Sequence, residues 1–339
     1  MSLARPERLA KIVRGPALVV AAACLMSACA KVELPKHLKP ISKDSMMLLG
    51  KKRMNQHAPI FVRVFKEESE LEVWKQRADG RFYHFKTYPI CTWSGGLGPK
   101  IKQGDKQAPE GFYTVNRHQM NPNSKFHLAF NLGYPNAYDR AHGRTGNFLM
   151  VHGKCSSAGC YAMTDGLMEE IYAIAREAFI GGQQKFHVHA FPFRMTEANM
   201  ARHRKNRNYR FWTTLKQGYD YFEFTRTPPK VAICNSRYHV NVDWRGGRPS
   251  PTGACPRFER PAVVPFWPTP GEEEIANQRV VVQGPKKRVF AHQRPLDRST
   301  MYGLTKVPSK QQSSRVQPAK EKQDPIAMLI RLTKAPAQQ

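Results

Sequence analysis

Residues 151–165 read Val151-His152-Gly153-Lys154-Cys155-Ser156-Ser157-Ala158-Gly159-Cys160-Tyr161-Ala162-Met163-Thr164-Asp165. The segment opens on the end of a strand-like run, Phe148-Leu149-Met150-Val151-His152, and closes on a helix start. Thr164 and Asp165 suit an N-cap and an acidic first turn. Leu167, Met168, Ile171, Ile174, Ala175 and Ala178 then recur at helical spacing, and Gly181-Gly182 ends the helix. A strand, a turn rich in Cys, Ser and Gly, and a helix thus follow one another.

On both sides the pattern is that of short strands. Ile60–Phe65, Leu71–Lys75, Phe82–Tyr88, Gly111–Val115, Phe126–Phe130 and His187–Phe191 are runs of β-branched and aromatic residues. Leu71–Lys75 alternates apolar and polar, as a half-buried strand does. A shorter helix is expected over Glu197–His203 and a further helix over Arg207–Phe224. The fold class is therefore α+β: a β-rich sheet core, one helix behind the turn, and a helical C-terminal extension.

The chain has 339 residues, with 54 Lys+Arg against 26 Asp+Glu, so its net charge is 54 − 26 = +28. Such charge attracts nucleic acid or an anionic surface. The N-terminus separates the two. Arg5, Arg8, Lys11 and Arg14 precede an apolar run, Pro16 to Met26, and then Ser27-Ala28-Cys29-Ala30. This is the layout of a secretory signal. Export argues against nucleic acid as a partner.

Met26-Ser27-Ala28-Cys29 also matches a bacterial lipobox, in which Cys29 is lipidated and becomes the new N-terminus. Ala30 in the next position suggests the outer membrane, facing the periplasm, by analogy with other lipoproteins. Plain cleavage after Ala30 is the alternative. Residues 29–58 read as a basic tether, 59–226 as the folded domain with its helical extension, and 227–279 as a Pro/Gly-rich extension. The segment 280–339 has 12 Lys+Arg against 3 Asp+Glu, an excess of 12 − 3 = +9. It reads as a disordered tail: either a solvated linker or a contact for anionic lipid or an outer-membrane lipoprotein.

Seven cysteines occur, at 24, 29, 91, 155, 160, 234 and 255. Two belong to the signal, so five remain in a compartment that oxidises pairs. One thiol is left over. Cys234 and Cys255 are the simplest disulfide by closeness in sequence. His152 at a strand end and Cys160 in the following turn make a base and a nucleophile. Gly159 lets nearby N–H groups converge on a developing oxyanion. Two structural alternatives compete: a Cys155–Cys160 disulfide, and a zinc site built from His152, Cys155, Cys160 and His187 or His189.

The segment from His152 to Asp165 resembles the active-site segment of the bacterial L,D-transpeptidase (YkuD-type) domain, in its YafK-like branch. Further matches are Gly104 to Tyr113, Tyr134 to Arg140 and Phe191 to Thr196. The resemblance runs from about Pro59 to about Phe224. It implies Cys160 as nucleophile, His152 as base, and Gly153 as the carbonyl that orients the imidazole. It places the oxyanion donors in the turn at Ser157, Gly159 and Tyr161, and suggests Arg140, Arg144 and Arg194 for substrate. The substrate class it implies is peptidoglycan stem peptides, with no metal and no organic cofactor. Where the wider family has a second His, this chain has Ala158. That leaves open transpeptidation and hydrolysis of the L,D-carboxypeptidase or lipoprotein-releasing amidase type; a non-catalytic wall-binding lipoprotein, which would need no free thiol, is a separate alternative. A thiol paired with His152 is expected to have a depressed pKa.

Overall fold

A computed structural model describes residues 33–266 and 280–283. Residues 33–35 carry no regular element, and the fold described below begins at Lys36. The signal and lipobox, and all but four residues of the basic tail, lie outside the described residues.

Two five-stranded sheets form the frame. The first contains β1 (Ile60–Phe65), β2 (Glu70–Gln76), β3 (Phe82–Pro89), β5 (Gly111–Asn116) and β10 (Lys185–Phe191), in the order β3-β2-β1-β10-β5. Only its β1/β10 pair is parallel. The second contains β4 (Thr92–Trp93), β6 (Met120–Asn121), β7 (Ala129–Asn131), β8 (Met150–His152) and β9 (Tyr161–Ala162), in the order β4-β9-β8-β7-β6. Here only β8/β9 is parallel, with Val151 opposite Tyr161 and His152 opposite Ala162.

Five α-helices join them among the described residues: α1 (Lys43–Lys51), α2 (Ala137–Ala141), α3 (Asp165–Ile180), α4 (Glu197–Arg202) and α5 (Tyr209–Thr225). The helix α3 starts after Thr164, as its capping pattern predicts. It buries Met168, Ile171, Ile174, Ala175 and Ala178 in one core with Val62, Val64, Val188, Phe130, Val151 and Tyr161. On the other side, Trp212, Leu215 and Tyr219 of α5 pack with Phe65, Phe112, Phe191 and Phe193.

The first sheet is therefore covered on both faces, which corrects the half-buried reading of β2. Leu71 to Lys75 are all buried. Glu72 on the α5 side takes Arg63 Nη2 at 2.8 Å and Arg194 Nη1 at 2.7 Å. Trp74 Nε1 donates to the same carboxylate at 2.9 Å. A polar residue in an alternating strand thus faces a helix rather than water. His189 on β10 packs between Phe61 and Phe112, at ring distances of 4.7 and 4.6 Å. It belongs to the packing, not to a metal site.

The tether reading of 29–58 also needs correction over its folded part. From Lys36 onward this stretch is built into the domain. Ile41, Leu49 and Met54 are buried. Ser45 Oγ and Lys86 Nζ meet Glu170 Oε1 of α3 at 2.9 and 2.7 Å. Lys52 Nζ donates to the carbonyls of His84 and Phe85. The Pro/Gly-rich stretch is likewise more ordered than its composition suggests. It forms a hairpin, β11 (Val231–Cys234) with β12 (Arg237–Val240), and a second pair, β13 (Asp243–Arg245) with β14 (Arg257–Glu259). The Cys234–Cys255 disulfide joins the two pairs, in agreement with the sequence.

Candidate active site

The site lies where β8 and β9 run side by side. His152 ends β8 and Cys160 immediately precedes β9. Ala162 lies opposite His152, and Cys160, in the bend just before β9, comes to the edge of β8 two residues before His152. The Met150 N–H donates to Cys160 Sγ at 3.4 Å, and Sγ lies 3.6 Å from the Phe148 carbonyl. Among the described cysteines Cys160 alone is unpaired.

His152 is buried, and its Nδ1 lies 2.6 Å from the Gly153 carbonyl oxygen. A carbonyl only accepts, so Nδ1 carries the proton and Nε2 keeps its lone pair in the neutral ring. Gly153 is fixed in turn. Its N–H donates to the carbonyls of Phe126 and Leu128 at 3.0 and 3.1 Å. A Cβ at Gly153 would stand 2.5 Å from Asp165 Oδ1 and 3.1 Å from the Phe126 carbonyl oxygen. Only glycine lets this backbone approach.

The turn between them is stapled at its base. The Met163 N–H donates to the His152 carbonyl at 2.7 Å, and the Cys155 N–H to the Met163 carbonyl at 3.1 Å. Cys155 is disulfide-bonded to Cys91, just before β4. This excludes the Cys155–Cys160 bridge. Lys154 and Cys155 hold positive φ angles of 61° and 37°, and Asp165 Oδ1 secures them by accepting the Lys154 N–H at 2.7 Å. At the top, Gly159 has φ +127°, open only to glycine. Ser157 Oγ donates to the Cys160 carbonyl at 2.7 Å and accepts the Gly159 N–H at 3.2 Å.

The facing wall is the loop from Ser94 to Glu110. Buried Lys66 anchors it, with Nζ at 3.0 Å from the Gly98 and Ala108 carbonyls and from Glu110 Oε1. Trp212 Nε1 binds the other oxygen of Glu110 at 2.8 Å. Tyr161 anchors the same wall: its buried hydroxyl donates to the Pro109 carbonyl at 2.6 Å. Its side chain therefore serves as a strut, not as an oxyanion donor.

Electrostatically the pair rests neutral. Burial pushes the Cys160 thiol up, against the Met150 N–H and the charge of Lys100, which favour thiolate. Burial likewise lowers His152, with the Gly153 carbonyl opposing it. The expected depressed thiol is thus corrected: desolvation outweighs the nearby charge, and both groups are held toward their neutral forms.

The three arginines divide. Arg144 is buried, with Nη1 at 2.8 Å from Asp139 Oδ1 and its guanidinium over the Tyr138 and Phe211 rings. Arg194 pairs with Glu70 and Glu72 over the Phe65 ring. Both are ion-paired inside the fold instead of standing ready for substrate. Arg140 is exposed and binds back to the Pro135 carbonyl. Cys91 was not distinguishable in the sequence as the partner of Cys155; five cysteines allow many pairings, and the two lie 64 residues apart. Phe126 also escaped notice, although its ring lies 4.6 Å from that of His152. Among the described residues, no group of three or more His, Cys, Asp or Glu could hold a metal ion.

Comparison with known proteins agrees with this arrangement. The family model for the L,D-transpeptidase catalytic domain (YkuD) matches residues 60–184. The Escherichia coli K12 protein named "Putative L,D-transpeptidase YafK" is 46% identical over 203 residues, which cover 60% of this chain and 79% of that protein. Its counterpart in Escherichia coli O157:H7 matches equally. Two solved structures are more distant. The helical cell shape determining protein Pgp2 from Campylobacter jejuni is 19% identical, with 55% of this chain and 63% of that chain covered and a TM-score of 0.33. Bdellovibrio bacteriovorus Bd1075 is 19% identical, with coverages of 56% and 64% and a TM-score of 0.29. The match spans less than two thirds of either solved chain. From its identity to YafK over most of that protein's length, the chain belongs to the L,D-transpeptidase family.

Proposed function

We propose that the chain is a cysteine L,D-transpeptidase acting on peptidoglycan stem peptides that contain meso-diaminopimelate. The observation that carries this reading is the unpaired Cys160, whose Sγ sits on the Met150 N–H of the strand that ends in His152, with His152 Nδ1 held by the Gly153 carbonyl. Cys160 Sγ attacks the carbonyl carbon at the L-centre of diaminopimelate as His152 Nε2 takes the thiol proton. Backbone N–H groups of the turn around Cys160 receive the oxyanion; the Gly159 N–H already has Ser157 Oγ as a partner. The tetrahedral species collapses to a thioester, and the leaving amine takes the proton back from Nε2. An acceptor amine then attacks the thioester, its proton passing to His152, and the thiol is restored.

Ala158 favours a second reading, since the wider family has a His at that place. With water in place of the amine the same thioester is hydrolysed, giving an L,D-carboxypeptidase or an amidase that frees a wall-attached lipoprotein. In either case we place the protein in the periplasm, held to the outer membrane by a lipid on Cys29. The two disulfides support an oxidising compartment, and the basic tail suits an anionic lipid partner.

The test is incubation of the protein with disaccharide tetrapeptide, with and without an amine acceptor, followed by mass spectrometry of products and enzyme. A thioester on Cys160 and a cross-linked or amine-exchanged product are expected. Shortened peptide in both arms, with no cross-linked or amine-exchanged product, selects hydrolysis. Full turnover by Cys160→Ala overturns the mechanism.

A further inference from the structure

The loop between α1 and β1 and the turn after β2 border a cleft of about 460 Å³, within the range of about 300–1,000 Å³ that small-molecule sites occupy. Arg53, Asn55 and His57 come from the loop, Gln76 and Arg77 from the end of β2 and its turn, and Gly181 from the turn after α3. None of the lining residues belongs to the centre around Cys160 and His152. The walls are fixed by the fold. The buried Lys75 Nζ donates to the Gln56 and Ala58 carbonyls at 3.0 and 2.8 Å. Asn55 Oδ1 accepts the His57 N–H at 2.7 Å, and the Pro59 carbonyl accepts the Gln76 N–H at 2.9 Å. A Cβ at Gly181 would stand 1.9 Å from the His57 carbonyl oxygen, so the loop and the end of α3 meet backbone to backbone.

The cleft carries positive charge that the fold does not neutralise. No Asp or Glu lines it. The Arg77 guanidinium lies over the Tyr83 ring at 4.3 Å, and its Nη1 is buried with no hydrogen-bond partner among the described residues. Arg53 is exposed and forms no side-chain hydrogen bond or ion pair among the described residues. Its φ of 51° is the left-handed turn just past α1, which glycine fills without strain, so the turn itself does not call for an arginine. The neighbouring carboxylates are engaged elsewhere. Glu177 takes Arg176 Nη2 at 2.7 Å and lies 3.3 Å from His57 Nδ1. Asp79 accepts the Tyr83 hydroxyl at 2.6 Å and the Arg81 N–H at 3.0 Å. Helix C-termini favour cations through unpaired carbonyls, but here those carbonyls are taken. Leu48, Leu49 and Gly50 at the end of α1 accept backbone N–H groups, and so do Glu177, Ala178 and Phe179 at the end of α3.

We propose that this cleft is a binding site for a phosphate group, held by Arg77 and Arg53 with Asn55 and His57 beside them. A guanidinium backed by an aromatic ring presents its donors as a flat fork, which matches two phosphate oxygens at once. A carboxylate has two oxygens, enough for one fork. A phosphate has oxygens for both arginines. The group has two sources, a small phosphorylated solute or the headgroup of a phospholipid. The site does not depend on the reaction assigned to Cys160.

The experiment uses the ¹⁵N-labelled full chain in non-ionic detergent, at constant ionic strength because exposed charges are screened by salt. Inorganic phosphate, glycerol 3-phosphate and soluble dihexanoyl phosphatidylglycerol are titrated in turn, with acetate as the carboxylate probe. The basic tail and the run Glu272-Glu273-Glu274 are present in this chain, so only the NMR signals of residues 53–59 and 76–78 count. A saturable shift of the Arg53, His57 and Arg77 signals is expected, with a Kd of about 1 mM or tighter for at least one phosphate probe. Arg77→Ala and Arg53→Gln should each weaken it about tenfold. Arg77→Lys keeps the charge but not the fork, and should recover only part of the loss. Arg257→Gln, at an exposed position of β14, should leave it unchanged. Unaltered iodoacetamide labelling of Cys160 in each variant shows that the fold is intact. Binding of dihexanoyl phosphatidylglycerol at least tenfold tighter than inorganic phosphate assigns the site to a lipid headgroup. Equal or tighter binding of inorganic phosphate or glycerol 3-phosphate assigns it to a free solute. Shifts confined to residues outside the cleft, affinity unchanged in both arginine variants, or acetate binding as tightly as phosphate overturns the proposal.

Discussion

At Cys160 two opposed pulls meet in one sulfur. Burial holds the thiol protonated, while the Met150 N–H and the Lys100 charge favour its ionisation, and burial prevails. His152 must therefore take the proton during attack; it does not share a preformed ion pair with the thiolate. Iodoacetamide should accordingly label Cys160 at neutral pH more slowly than an unhindered cysteine, with the rate still climbing above about pH 8.5. A rate plateau below pH 7 would show a preformed thiolate. His152 lies below its ordinary range, so it is deprotonated at neutral pH. The expected kcat/KM falls only as pH drops through this lowered value, beneath about 6.5. The residues of this centre were readable in the sequence because they are contiguous: His152, Gly153, Gly159 and Cys160 share one strand–turn–strand. Phe126 and Lys100 reach it from other segments by tertiary folding, and no local pattern marks them. The arginines show the same limit from the other side. Arg144 and Arg194 have the right chemistry for a carboxylate, but the fold supplies Asp139, Glu70 and Glu72 first.

The elements that hold the site are fastened by cross-links which the strand and helix patterns do not announce. Helix α3 was legible down to its start after Thr164 because turn and periodicity signals are local, although the Thr164 side chain makes no capping hydrogen bond. Of the run from Phe126 to Phe130, only Ala129 and Phe130 lie in the three-residue strand β7. Phe126 and His127 leave the sheet, and the clasp of His127 by Glu169 holds that exit. The Cys91–Cys155 disulfide ties β4 to the active turn across 64 residues. By loop-closure entropy such a link is worth about 4 kcal/mol. The Cys91→Ala/Cys155→Ala protein should thus melt well below wild type while keeping part of its activity, since neither residue is the nucleophile. An unchanged melting temperature would mean the bond contributes no stability. On the other side of the sheet, Arg63, Glu72, Arg194 and Glu223 form a buried ion cluster. Burial alone would raise the Glu223 carboxyl, but Arg226 and Arg63 hold it at about 2. Its folded pKa lies below the unfolded value of about 4.3. It therefore stabilises the fold above that value, and the contribution is lost as pH falls toward 2. Glu72→Gln leaves Arg63 undercompensated in the interior, and a loss of about 3–5 kcal/mol is expected in denaturant unfolding.

Over the whole molecule, charge and composition mislead at both edges of the described fold. A basic stretch was read as a tether, yet Arg176 holds the His37 and Lys39 carbonyls, and Lys39 reaches Glu169 at 3.0 Å. Lysines mark solvent only when no carboxylate faces them, and α3 turns Glu169, Glu170 and Glu177 outward toward this stretch and His57. The C-terminal edge shows the same effect on the backbone. The tail was placed from residue 280 onward, but its first residues add to the edge of β3. Thr87 donates to the Val280 carbonyl, and the Val282 N–H donates to the Thr87 carbonyl, both at 2.9 Å. Val282 also packs against the main core. An unpaired sheet edge recruits whatever extended chain passes it, and a hydropathy window sees only a basic neighbourhood. The described residues 280–283 therefore belong with the domain and not with the tail. Each backbone hydrogen bond contributes about 0.5–1.5 kcal/mol net. A chain ended at 279 should be about 2 kcal/mol less stable than one ended at 283. In a fold of this size that is about 4–8 °C in Tm. The chain ended at 283 should match the full-length protein in melting and in turnover of small soluble muropeptides. Equal melting of the 279 and 283 ends would remove the added strand, and a loss of cooperative unfolding on removing 284–339 would show that the rest of the tail packs on the domain as well.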